Sequence, residues 1–213
     1  AVLPGCITKD ISPDRLMQYF HVLEEVKNFA INHYIPDVME LASRYPEYFD
    51  IGVSYDSFYA NETFKSLGDP VFKGGVVING SGQEFSFANV KEFYDTSFYD
   101  SKGDPDPNKS GAYSWTKSPR YAGEPVEVGP LARMIVNKDE YFYKTMKKLG
   151  GKVQSSTMGR HVARAVESRN IIDHLYKLLD AYKIGESNIK QVDFSKKVSC
   201  IGTGFSIAAR CAL

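Results

Sequence analysis

Apolar residues recur at intervals of three and four near the start of the chain. Leu16, Tyr19, Phe20, Leu23, Val26, Phe29 and Ala30 form one stripe, the pattern of an amphipathic helix. Ser12-Pro-Asp14 supplies its start: Ser as N-cap, Pro at the first helical position, Asp in the first turn. Pro36 predicts a kink or restart, after which Val38, Met39, Leu41 and Ala42 carry the helix to about Arg44. A second long run, roughly Thr157 to Tyr182, opens on Ser155-Ser156 and sets Val162, Val166, Ile172, Leu175 and Leu179 along one side. Between them, Asn137 reads as the cap of a shorter helix ending near Leu149, stopped by Gly150-Gly151.

The pattern changes between Ile51 and Phe87, where Gly, Ser, Asn and aromatic residues replace the helical stripe. Val71-Phe72 and Gly75-Val-Val-Ile-Asn79 read as strands, with Asn79-Gly-Ser-Gly82 as a turn. The alternation of Phe85 and Phe87 with Glu84 and Ser86 predicts a half-buried return strand. Asn89 is expected to cap a short helix through Val90, Phe93 and Tyr94. The Asp-, Pro- and Gly-rich stretch from Asp100 to Gly111 reads as a solvated turn region. The expected fold is α+β and mainly helical: long packed helices with a small antiparallel β-hairpin unit at 51–87.

Residues 113–136 stand apart. They hold the chain's one tryptophan, Trp115, and Pro119, Pro125 and Pro130. Proline fixes φ and biases the preceding residue away from helix, so most of this segment is expected to be irregular or extended. Flexible linkers avoid large apolar side chains. The stretch therefore reads as an ordered central loop, held by burial of Trp115 and by ion pairs among Lys117, Arg120, Arg133, Glu124 and Glu127. Arg160 and Arg164, one helical turn apart, are candidates to bind an anion, to pair with a carboxylate of this loop, or to make ion pairs on their own helix face.

Composition narrows the function classes. The 213 residues carry 26 basic and 26 acidic side chains, a formal net charge of zero. Nothing in that balance attracts nucleic acid or an anionic membrane, and no stretch approaches the ~18 apolar residues of a membrane span. The first residues, Ala1-Val-Leu-Pro-Gly-Cys-Ile-Thr8, have no basic region ahead of their apolar ones and do not read as a signal peptide. The missing Met suggests a processed chain or an excised piece. Cys6, Cys200 and Cys211 are far apart and include no Cys-x-x-Cys, and His21, His33, His161 and His174 are scattered. No metal site is legible from local spacing, and His21 and His33 are expected to be structural.

The wording of the central loop carries a resemblance. Ser114-Trp-Thr-Lys-Ser-Pro-Arg-Tyr121, followed by Gly123-Glu-Pro-Val-Glu-Val-Gly-Pro-Leu-Ala-Arg133, resembles the central signature of the large subunit of nickel–iron hydrogenases. Asn32-His-Tyr-Ile-Pro-Asp-Val38 and Met158-Gly-Arg-His-Val-Ala-Arg-Ala-Val-Glu167 are similar to the same family in the same order. The tail, Gly202 to Leu213, resembles Gly-x-x-Glu-Ala-Pro-Arg-Gly-Ala-Leu, which places Arg210 where the family has an arginine over its dinuclear metal site. Ile207 replaces the acidic residue there, Ala209 the proline and Cys211 the glycine. Cys6 replaces a glycine in a segment resembling Pro-Gly-Gly-Val-Thr.

The resemblance implies an enzyme that oxidises or forms dihydrogen at a nickel–iron centre, partnered by an iron–sulfur small subunit. Four cysteines in two Cys-x-x-Cys pairs hold that centre in the family, and neither pair is in this chain. Residues 1–213 are therefore expected to be a single domain, an internal portion of the large subunit. They would supply scaffold and residues around the centre, with Arg210 the catalytic candidate and no cofactor or metal ligand of their own. As an isolated chain it is expected to be inactive. The alternative is a non-catalytic structural or interaction protein derived from that scaffold; an unrelated small-molecule-binding domain is more distant. No nucleic acid and no membrane insertion are expected. The compartment stays open among periplasmic, membrane-associated and cytoplasmic. The resemblance also brings the segments of Cys6 and Cys211 to one central region, where they would form either a bridge or two unconnected thiols.

Overall fold

A helix with small and branched residues on every side of its first half can be packed on every side. That describes α5 (Thr157–Ala181): Gly159, Val162, Ala163, Ala165 and Val166 are all buried. Ser156 caps it, its hydroxyl accepting from the Gly159 N–H, and this start agrees with the sequence pattern. The computed structural model describes residues 11–65 and 67–185, with the backbone of 2–3 and 6–7. Within it α5 packs against α1 (Pro13–Phe29), α2 (Ile35–Arg44), α3 (Pro130–Val136) and α4 (Glu140–Lys148). The main core is built there from Val38, Phe49, Phe58, Phe72, Leu131, Met134, Phe142, Met146, Val162 and Val166. The α+β, mainly helical class is borne out.

α1 begins as expected, with the Arg15 N–H donating to Ser12 Oγ and Pro13 in the first turn. Pro36 has no N–H to close the ladder, and the chain answers with one wide turn. Ala30–Tyr34 is π-helical, and the Ile35 N–H reaches back to the Ala30 carbonyl before α2 proceeds. Such bulges insert without breaking the helix axis. The expected apolar stripe of α1 is only partly used. Leu23 and Ala30 are buried and Leu16 and Phe20 half-buried, whereas Tyr19, Val26 and Phe29 are exposed. The helix is covered by one neighbour, the second half of α5, through Leu23, Ala30, Ile172, Tyr176 and Leu179. One neighbour covers a narrower strip than a core does.

The small sheets are antiparallel. β1 (Val2–Leu3) pairs with β2 (Cys6–Ile7). β3 (Phe58–Ala60), β4 (Gly75–Ile78) and β5 (Ser81–Gln83) form one three-stranded sheet. Between β4 and β5, Asn79 and Gly80 both have positive φ, 49° and 74°, the two-residue turn that Asn-Gly favours. That short turn starts the return strand at Ser81, earlier than the expected 84–87. The residues after Asn89 form β6 (Val90–Phe93) rather than a helix, paired with β7 (Ser118–Tyr121), which pairs in turn with β8 (Glu124–Pro125). Val76, Ile78, Tyr121 and Val126 seal the two sheets together. Val71-Phe72 contributes one isolated bridge, Thr63↔Phe72, and no strand.

Two further expectations are corrected. Asn137 ends α3 rather than starting α4; its side chain is spent on the backbone of Lys73 and on the Arg133 carbonyl, while Asp139 caps α4 through the Phe142 N–H. Gly150, at a φ of 71°, stops α4 as expected, and Gly151 leaves room for the Phe49 ring. Trp115 is 45% exposed. Its ring rests between Phe98 and Tyr99, at 5.1 and 5.6 Å, on a loop excursion outside the main core. The 100–111 region is more ordered than its composition suggests. Asp100 accepts from the Lys102 and Asp104 N–H groups, and the Lys109 ammonium donates to the carbonyls of Tyr94 and Tyr99.

His174 is buried on α5 against the Phe64 ring, and its Nε2 has no hydrogen-bond partner among the described residues. Burial, and then the Lys177 ammonium, push its imidazole below its ordinary range. A base depressed on folding binds fewer protons folded than unfolded, so stability falls as pH drops through the ordinary His pKa of about 6.5. Urea midpoints measured from pH 7.5 down to 5 should decline, and His174→Leu should flatten part of that slope. Trp115→Ala should cost about 1–2 kcal/mol, less than the 3–5 of a fully buried ring; a loss of 4 kcal/mol would contradict its half-exposed packing.

Candidate functional site

The centre of the molecule is where the 113–136 segment crosses α5. Proline and glycine shape the segment as expected up to Gly129, but Pro130 then opens α3, in which residues 130–135 are all buried. Burial of this run brings two charged side chains inward with it, Glu127 just before the helix and Arg133 within it. A buried charge needs a counter-charge and full hydrogen bonding. α5 provides both.

Arg160 grips Glu127 with two parallel bonds, Nε to Oε1 at 2.9 Å and Nη2 to Oε2 at 2.8 Å. The Ser155 hydroxyl donates to Glu127 Oε2 and accepts from Arg160 Nη2 at 2.6 Å. Arg160 Nη1 donates to the Gly52 carbonyl at 2.9 Å. Two turns further along α5, Glu167 accepts from Arg133 Nε and, at 2.9 Å, from Nη2. The Arg133 guanidinium also lies 5.7 Å from the Phe72 ring. The two pairs run with opposite polarity: acid on the central segment and base on α5 in one, the reverse in the other. The Glu127 backbone adds to the joint, its N–H donating to the Ser57 carbonyl and its carbonyl accepting from Tyr59.

Of the charges picked out in sequence, Arg160 thus meets a carboxylate of the central segment. Arg164, a turn away, makes no ion pair among the described residues. The ion pairs of the central segment run to α5 rather than within the segment, apart from Lys117, which reaches Glu92 at 3.7 Å. Ser155 and Glu167 escaped the sequence reading. The signal that could have found Glu167 is spacing: Glu127 and Arg133 are six residues apart, Arg160 and Glu167 seven, with signs reversed. His21 pairs with Glu25 on the surface and His33 packs on the Phe29 ring, both structural. Arg210, Cys200 and Cys211 lie outside the described residues, and of Cys6 only the backbone is described.

The described residues do not fit a nickel–iron centre. Such a centre takes soft thiolate ligands, and no described side chain is a cysteine. Among the described residues no group of three or more His, Cys, Asp or Glu is placed to hold a metal ion. What the arrangement does is mechanical. It fixes the central segment, and whatever that segment presents, against the longest helix.

Removing one partner leaves the other charged and buried, so Glu127→Ala or Arg160→Ala should each cost about 3–5 kcal/mol. The double replacement Glu127→Leu with Arg160→Met should recover much of that loss. A double-mutant cycle by urea denaturation measures it; single variants losing under 1 kcal/mol would mean that the pair is solvated.

Residues 4–213 match the family described as nickel-dependent hydrogenase. The chain is 32% identical to the large subunit of the periplasmic NiFeSe hydrogenase of Desulfomicrobium baculatum, over 98% of this chain and 46% of that protein. To the uptake hydrogenase large subunit of Rhizobium leguminosarum bv. viciae it is 28% identical, over 94% of this chain and 43% of that protein. The crystallised Desulfomicrobium baculatum NiFeSe hydrogenase superposes with a TM-score of 0.76 at 32% identity, covering 88% of this chain and 44% of that one. The Desulfovibrio vulgaris Hildenborough enzyme gives 0.75 at 29%. The chain spans about half the length of the curated relatives it matches. Family wording, fold and near end-to-end coverage agree, and the chain belongs to the nickel-dependent hydrogenase family.

Proposed function

We propose that this chain is an internal portion of a nickel–iron hydrogenase large subunit, residues 1–213 forming one domain of it. In intact form that subunit catalyses reversible oxidation of dihydrogen and pairs with an iron–sulfur small subunit. The observation that supports this is the asymmetry of coverage: 98% of this chain aligns with a relative of which it accounts for 46%. The nickel–iron centre belongs to the intact protein, on thiolates that this chain's sequence, without any Cys-x-x-Cys, does not supply. The chain's part is scaffold: the two clamps on α5 hold the central segment in place, and Arg210 is the residue proposed to stand over the metal site. Among the described residues no helix is long and apolar enough to cross a membrane.

A second reading, a non-catalytic structural or interaction protein built on the same scaffold, is favoured by one feature. Cys6, Ala209 and Cys211 stand where the resembling segments have glycine, proline and glycine.

Sequencing the gene beyond both ends separates the two. A Cys-x-x-Cys pair on each side is the expected result, whereas a start and a stop codon directly flanking the chain would favour the second reading. The purified chain, refolded with excess metal, should bind no stoichiometric nickel or iron by elemental analysis. One nickel per chain, lost on replacing Cys200 or Cys211, would put a metal ligand in this chain after all.

A further inference from the structure

On the side of the molecule where α2 ends, apolar residues that a core would bury face outward. Leu41 is 50% exposed and, with Val38, Tyr45, Tyr48 and Met158, lines a cavity of about 280 Å³. The apolar surface continues past the mouth of that cavity. The Ile51 carbonyl accepts from the N–H of Thr157, a residue of the cavity wall, at 2.8 Å. Ile51, Val53 and Tyr55 follow, all more than half exposed.

Tyr55 and Tyr113 then border a second cavity, of about 190 Å³, that holds Arg120. The Arg120 guanidinium donates to the Pro119 carbonyl at 2.9 Å and lies 4.7 Å from the Phe93 ring. Among the described residues it meets no carboxylate. Glu127 lines the same cavity, but its two oxygens are held by Arg160 and Ser155. The residue opposite Arg120 on β6 is a second cation, Lys91.

We propose that this face, made by Leu41, Tyr45, Tyr48, Ile51, Val53 and Tyr55 with Tyr113 and Arg120, is the seam against which the rest of a hydrogenase large subunit packs, a carboxylate of that partner seating on Arg120. The inference rests on the reading of the chain as a portion of that subunit. Monomers seldom expose so extended an apolar patch, and faces that stay permanently covered resemble a core cut in half. The superposition covers 44% of the Desulfomicrobium baculatum chain, so over half of such a subunit has no counterpart here to cover this face. An arginine at its rim that meets no carboxylate among the described residues selects an acidic residue in the cover. α1 also exposes Met17, Val22, Val26 and Phe29, but none of these residues lines either of the two cavities that border the 41–55 stretch.

The test is to co-express this chain with the part of the Desulfomicrobium baculatum large subunit that has no counterpart in it, then to measure co-purification and amide hydrogen exchange. The pair should co-purify, and exchange should slow at 41–55 and 113–121. Leu41→Ser with Ile51→Ser, and separately Arg120→Glu, should each cut recovery at least tenfold. Val22→Ser with Val26→Ser should leave recovery unchanged, with wild-type thermal unfolding in every variant as the folding control. Undiminished recovery with the first two variants, or slowed exchange on α1 instead, overturns the seam while leaving the portion-of-a-subunit reading intact. Failure of the wild-type pair to co-purify overturns the seam too, as does a dimer of this chain, seen by light scattering, that Leu41→Ser with Ile51→Ser abolishes. The parent reading is judged separately, by the Cys-x-x-Cys pairs flanking the gene.

Discussion

Two buried Arg–carboxylate pairs of opposite polarity set the register between the central segment and α5. Seven residues of helix separate Arg160 from Glu167, a rise of about 10 Å. A slip of α5 by one turn in one direction would break both pairs at once; in the other it would bring Arg164 to Glu127 but still leave Arg133 buried without its carboxylate. Buried ion pairs are weak evidence for net stability, since well-packed apolar residues often serve as well. Their firmer contribution is to make every other register expensive. The consequences spread through the backbone: Glu127 holds the first half of β3 through Ser57 and Tyr59, and Arg160 holds the loop before it at Gly52.

Around that joint the packing is apolar. Gly159, Ala163 and Ala165 let neighbours approach α5 closely, and Leu131, Met134, Phe142 and Met146 fill the space beside them. The sheets are too small to make a core alone. They are sealed to each other by Tyr121 and Val126 and to the helices by Phe58 and Phe72. The interior is complete at its centre, whereas Leu41, Tyr45, Tyr48, Ile51, Val53 and Tyr55 keep apolar side chains exposed among the described residues.

The acids and bases of the clamp are committed to one another, with both Glu127 oxygens and most of the Arg160 donors in use. Polar groups so fully satisfied rigidify the joint they form. The half-open polar cavity at Arg120 is different, since its cation has a carbonyl and a ring for company and no carboxylate among the described residues.

Local chemistry was enough for the helix starts at Ser12 and Ser156, the disruption at Pro36, the Asn79-Gly80 turn and the stop at Gly150. Each depends on a residue's own φ preference or on a side chain bonding three residues away. The family was legible too, in the wording of 114–133. What the sequence could not decide was which of several equivalent local choices tertiary contacts would take. Asn137 could cap a helix, but its amide is spent on Lys73, 64 residues away. Val90–Phe93 is a strand because Ser118–Tyr121 lies beside it, and Trp115 is half-exposed because its loop finds Phe98 and Tyr99 rather than the core. The partners of Glu127 and Arg133 lie 33 and 34 residues further on; only the folded crossing of the two segments brings each charge to its counter-charge.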